Sequence, residues 1–79
     1  DYNEARIYID RVVSPESDED ELMNNKDLQG NVIEHAGDIY YMTGDRQTAV
    51  WLWNIALQKA DGSTTEKLPK KIRKKKYIK

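Results

Sequence analysis

Ile33-Glu34-His35-Ala36-Gly37-Asp38-Ile39-Tyr40-Tyr41-Met42-Thr43-Gly44, followed directly by Asp45-Arg46-Gln47-Thr48-Ala49-Val50-Trp51-Leu52-Trp53-Asn54-Ile55-Ala56-Leu57, decides the fold. Both runs have the length and the period of a helix. In the first, Ile33, Ala36, Gly37 and Tyr40 recur at i, i+3, i+4 and i+7, an apolar stripe along one side. In the second, Ala49, Trp53, Ala56 and Ala60 form the matching stripe. Gly44 offers a left-handed helix stop and Asp45 a carboxylate N-cap, so the two runs fold back on each other as an αα-hairpin. Small side chains at Ala36, Gly37, Ala49 and Ala56 let the two backbones approach, while Tyr40 and Trp53 fill the space beside them.

The order Ile33, Ala36-Gly37, Tyr40, Gly44, Ala49, Trp53, Ala56-Leu57 resembles a tetratricopeptide repeat, a helix–turn–helix unit of roughly 34 residues. The likeness spans about residues 30–63, with Ile33 at the place where the family usually carries Trp and Asp61 near that of the closing Pro. It implies an all-α chain built as antiparallel hairpins of an α-solenoid, a scaffold for protein–protein interaction with no catalysis of its own. The run Glu34-His35-Ala36-Gly37-Asp38 with Trp53 is similar to repeats of many bacterial proteins, exported and lipid-anchored ones included, and leaves the compartment open. In such repeats the first helix lines a concave groove, which here places Asn31, Glu34, Asp38 and Tyr41 outward. Repeats that clamp the carboxylate end of chaperone tails use Lys and Asn where Glu34 and Asp38 stand, so this face suits a basic or polar peptide instead. The competing reading is a solvated face without a ligand.

Outward from this repeat the chain reads as half of another. Tyr2, Ala5, Ile9, Val12 and Val13 form an amphipathic stripe over about residues 2–13, in which Ala5, Ile9 and Val12 match Ala49, Trp53 and Ala56. A second helix without its first, in a chain that opens at Asp1, suggests a fragment of a longer array. Ser14-Pro15 stops this helix. Residues 14–29 are longer than an inter-repeat turn and read as an acidic insertion, with Asp18 and Glu21 spaced as a capping box for a short turn through Leu22-Met23. Beyond Asp61-Gly62, Leu68 and Ile72 mark one apolar stripe of a basic capping helix over about 66–76, its Lys and Arg side chains solvated. Four helices are therefore expected, at 2–13, 28–43, 46–60 and 66–76.

At 79 residues the chain forms one domain at most. It has no Cys, hence no disulfide and no thiolate chemistry, and its apolar runs fall short of the roughly 20 residues of a membrane span. A net charge of −1 conceals a division: residues 1–45 hold twelve acidic and three basic side chains, residues 46–79 two and ten. Attraction between the two ends, within one compact domain or along a repeat array, is favoured over an interaction tail.

The residues that could carry chemistry are few. His35 stands beside Glu34 and near Asp38, without a nucleophile or a second nitrogen or sulfur ligand, and reads as a surface histidine. Asp18-Glu19-Asp20-Glu21 lacks the alternating ligands and the central Gly of a calcium loop. No cofactor, metal or small-molecule substrate is expected. The basic tail, with Tyr77 its one aromatic, makes nucleic acid or an anionic membrane an alternative partner to a protein or peptide. Trp51 and Ile55 lie on the side of their helix away from Ala49 and Trp53, and such an apolar pair needs cover. Leu22 and Met23 of the insertion can supply it, or else another chain or a neighbouring domain; weak self-association through the cut end of the array is a separate expectation.

Overall fold

The computed structural model describes residues 2–11, 13 and 17–78. They form five α-helices and no strand: α1 (Tyr2–Ile9), α2 (Glu19–Asn24), α3 (Gly30–Met42), α4 (Arg46–Lys59) and α5 (Leu68–Lys74). The chain is thus all-α. The place of Val12 on the first stripe and the stop at Ser14-Pro15 lie outside the described residues, as does the Tyr2 side chain.

The link between α3 and α4 follows from its residue types. Gly44 takes φ +97°, a conformation that side chains with a Cβ rarely adopt, and turns the chain out of α3. The Asp45 carboxylate then accepts the Thr48 amide at 3.1 Å and the Thr48 hydroxyl at 2.7 Å, capping α4. The two helices run antiparallel: Gly30 at the start of α3 lies against Ala56, and Gly37 one half-length on lies against Ala49 and Trp53. A Cβ on Gly37 would stand 2.6 Å from two atoms of the Trp53 indole and 3.1 Å from the Ala49 carbonyl oxygen, so the approach requires glycine. Ile33, Ala36, Tyr40, Ala49, Trp53 and Ala56 have no exposed surface, which makes the paired stripes the centre of the core.

Three shorter helices dress this hairpin. On one side α1 packs against α3, where the Tyr40 hydroxyl donates to the Asp10 carboxylate, with the Val13 carbonyl oxygen at 3.3 Å. The Arg6 guanidinium lies 4.8 Å from the centre of the Tyr40 ring and donates to the Thr43 hydroxyl at 3.3 Å. The insertion contributes α2, capped by the Asp18 carboxylate on the Asp20 amide and packed on α4. It is a helix in its own right, beyond the four expected. α5 packs on α4 and reaches α3 through Lys71, and Leu68 is fully buried there.

Every expected helix is shorter in the structure: α1 ends at Ile9 rather than at 13, and α3 spans Gly30–Met42 rather than 28–43. Ala60 does not extend the α4 stripe: it is exposed, at φ 49°, because Asp61 leaves the helix to bond the start of α3. The last helix occupies Leu68–Lys74 rather than 66–76, with Pro69 in its first turn, where it removes no needed amide, and Lys75 at φ 53° ending it.

Candidate functional site

The α3 face expected to line a groove is covered by α5. Glu34 is 2 % exposed, and its neighbour one turn on, Asp38, is partly buried. Neither faces outward as the repeat register implied, because a cation from the last helix closes over both. The Lys71 ammonium, itself 3 % exposed, stands 2.9 Å from Glu34 Oε2 and 2.9 and 3.0 Å from the two Asp38 oxygens. Three donors meet three oxygens, the full capacity of an ammonium. Lys71 is therefore not one of the solvated cations of the basic helix, as the charge run suggested.

Each neighbour of the ammonium is held by a second contact. Trp53 Nε1 donates to Asp38 Oδ1 at 3.1 Å and approaches the Glu34 carbonyl oxygen at 3.2 Å, so the indole that fills the gap beside Gly37 also orients a carboxylate. The Thr65 amide donates to Glu34 Oε1 at 2.8 Å and the Thr65 hydroxyl to Glu34 Oε2. The rings of Trp53 and Tyr77 lie 6.0 and 5.4 Å from the ammonium. Among the described residues no buried side-chain nitrogen or oxygen lacks a partner.

The protonation of the three groups follows from these contacts. Burial pushes the Glu34 carboxyl up, but the bonds from Thr65 and Lys71 outweigh it and hold the group below the usual carboxylate range. Asp38 is raised, because burial exceeds what Lys71 and Trp53 return, with the Glu34 charge adding to it. Burial pulls Lys71 down, and the two carboxylates more than restore it, so the lysine stays charged. The arrangement is a cradle: two carboxylates around one ammonium, with the Thr65 hydroxyl on one of them.

The other two groove candidates separate. Asn31 is exposed at the start of α3, and its amide donates to the Ser63 hydroxyl at 2.9 Å. Tyr41 is half-buried, its ring centre 6.0 Å from that of Trp53. Ile55 is fully buried and Trp51 half-buried, both in the cluster that contains Leu22 and Met23. His35 is exposed on α3. Among the described residues no three His, Cys, Asp or Glu side chains gather as metal ligands, and no helix is long and apolar enough to cross a membrane. Sequence reasoning missed Lys71 and Thr65. For Lys71 a signal existed, since it lies three residues after Leu68 on the stripe shared with Ile72. Comparison with protein-family models, with curated proteins and with solved structures finds no match to this chain.

Proposed function

We propose that this chain is a module of a helical-repeat scaffold of tetratricopeptide-like build, which mediates contact between proteins and performs no catalysis. The observation that carries the reading is the α3–α4 pairing, with Gly37 pressed to the Trp53 indole and the Ala49 carbonyl, the small-against-large packing that a stacked hairpin needs. The packing of α5 adds support, since a further helix closes over the pair, as a stack requires. With Glu34 and Asp38 engaged by Lys71, the contact surface in this reading moves to the outer side of α1, where Ile7 and Tyr8 are 64 % and 70 % exposed. The partner that fits is an apolar helical segment, anchored on the tyrosine.

A second reading, a structural cap without a ligand, is favoured by the way Lys71 ties α5 down while Lys70, Arg73 and Lys74 face solvent. One experiment separates the two. A photo-crosslinking benzoylphenylalanine is placed at Tyr8, and in a second chain at Lys70, in cells of the source organism. A discrete adduct with another protein at position 8, abolished by Ile7→Asp, is the outcome expected of the scaffold. Adducts at neither position sink it and leave the cap.

A further inference from the structure

The cradle around Lys71 is built mainly on the hairpin, with the Thr65 amide and hydroxyl of the segment before α5 holding the Glu34 carboxylate. Glu34 and Asp38 stand on α3, Trp53 on α4, and the bonds from the indole to Asp38 and to the Glu34 carbonyl are made within that pair. What α5 adds is small: Leu68 with no exposure, Lys71 at 3 %, and Ile72 half-buried, while Pro69, Lys70, Arg73 and Lys74 are exposed. At seven residues α5 is far below the length at which a helix holds itself together in water, so it owes its form to the surface beneath it. It is joined to α4 through residues 60–67, where Ala60 and Gly62 both take positive φ in an exposed turn.

We infer that this cradle is a lysine-recognition site and that α5 is its tethered occupant, which an amphipathic helix of another protein carrying Leu-x-x-Lys displaces. Lysine is specified over arginine by the geometry: three acceptor oxygens at 2.9, 2.9 and 3.0 Å around one nitrogen match a compact ammonium with three donors, not a planar fork. A cation is specified over any other group by the charge, since two carboxylates face a single ammonium and the cradle keeps a surplus of negative charge when filled. The leucine is specified by its position one turn before the lysine, where Leu68 is wholly enclosed. The tether decides when the site opens. The short connection, itself bonded to α3 through Asp61, Ser63 and Thr65, gives its end an effective concentration on the order of millimolar. A free ligand therefore succeeds only when it binds the cradle better than α5 does, and α5 acts as the threshold. This site is distinct from the outer face of α1, and the inference stands or falls without it.

The test uses the full chain with a protease recognition sequence inserted after Gly62, where the turn is open and a Cβ would meet nothing within 4 Å. The probe is a fluorescein-labelled peptide of residues 63–78. After cleavage the severed segment is expected to stay seated and to exchange for the probe, seen as a rise in anisotropy that the unlabelled peptide reverses. Peptides with Lys71→Met or Lys71→Arg compete at least tenfold more weakly, and uncut chain requires at least tenfold more probe. Equal competition by the Lys71→Met peptide, loss of fold on cutting, or a segment that never exchanges overturns the inference. A second measurement avoids cutting: the probe should raise the melting temperature of uncut Lys71→Ala and leave that of the unsubstituted chain unmoved. An unchanged melting temperature in both overturns it as well.

Discussion

Gly37 has no room for a methyl group, and what surrounds it cannot step aside. The obstructing atoms belong to the Trp53 indole, which is fully buried and hydrogen-bonded, and to an α4 carbonyl. Alanine at that position gains about 1 kcal/mol of helix propensity and loses about 1–3 kcal/mol to overpacking, so Gly37→Ala is expected to be net destabilising. Urea unfolding followed by circular dichroism reads the sign, and a stabilised variant would mean that the hairpin is looser than described. Asp61 sets a pH dependence of its own. The Ser63 hydroxyl, then the Gly30 and Ser63 amides, hold its carboxyl down at about 2 from an ordinary 3.8. A depressed carboxylate contributes stability that is present above its unfolded pKa and is lost as pH falls through the folded one, here from 3.8 towards about 2. Asp38 works in the opposite sense, because burial raises it and its native form takes up a proton more readily on acidification. Thermal unfolding between those two pH values should therefore show a flatter acid limb for Asp61→Asn than for the unsubstituted chain; an identical slope would remove Asp61 from the account.

The elements differ in how openly the sequence announced them. The hairpin was legible because its signal is redundant: two apolar stripes, a left-handed glycine and a capping aspartate all state the same thing. The short α2 was half legible, its cap named by Asp18 but its end set by tertiary contacts. The cradle was not legible, because a periodicity reading sends charge to water. Glu34 and Asp38 therefore went to a groove, and Lys71 disappeared into a run of cations. Only the packing of α5 reverses both assignments, and that packing rests on contacts more than thirty residues apart in sequence. The tie between α1 and α3 is of the same kind. The Tyr40 hydroxyl bonds the Asp10 carboxylate and lies near the Val13 carbonyl, while burial and the Asp10 charge raise the phenol above its usual range. Tyr40→Phe should destabilise by about 1.5 kcal/mol, the lower end for a hydrogen bond to a charged group, since Asp10 is exposed. Limited proteolysis should then cut first within α1, whereas cleavage elsewhere would show that another contact anchors it.

At the scale of the molecule, the division of charge is used rather than merely tolerated. The acidic first half and the basic second half meet through Lys71 on Glu34 and Asp38, while Lys59 reaches backbone carbonyl oxygens at the end of α2. The described residues draw together to a radius of gyration of 11.2 Å, with principal extents of 27 × 26 × 18 Å. Trp53 is fully buried and Trp51 half-buried inside this volume. Tryptophan emission should accordingly be blue-shifted and constant over a dilution series run beside sedimentation equilibrium. A red shift on dilution, together with a falling mass, would assign part of that cover to a second copy of the chain.

Lys59 ties two parts of the chain to one clock. Its ammonium reaches back to carbonyl oxygens at the end of α2, 2.6 Å from Leu22 and 3.0 Å from Asn25. Six residues of helix do not persist unaided, so α2 depends on α4 and on the ammonium that α4 places against it. In deuterium-exchange experiments the α2 amides should lose their protons first among the helices packed on α4, and Lys59→Met should hasten them alone, leaving those of the hairpin at their own pace.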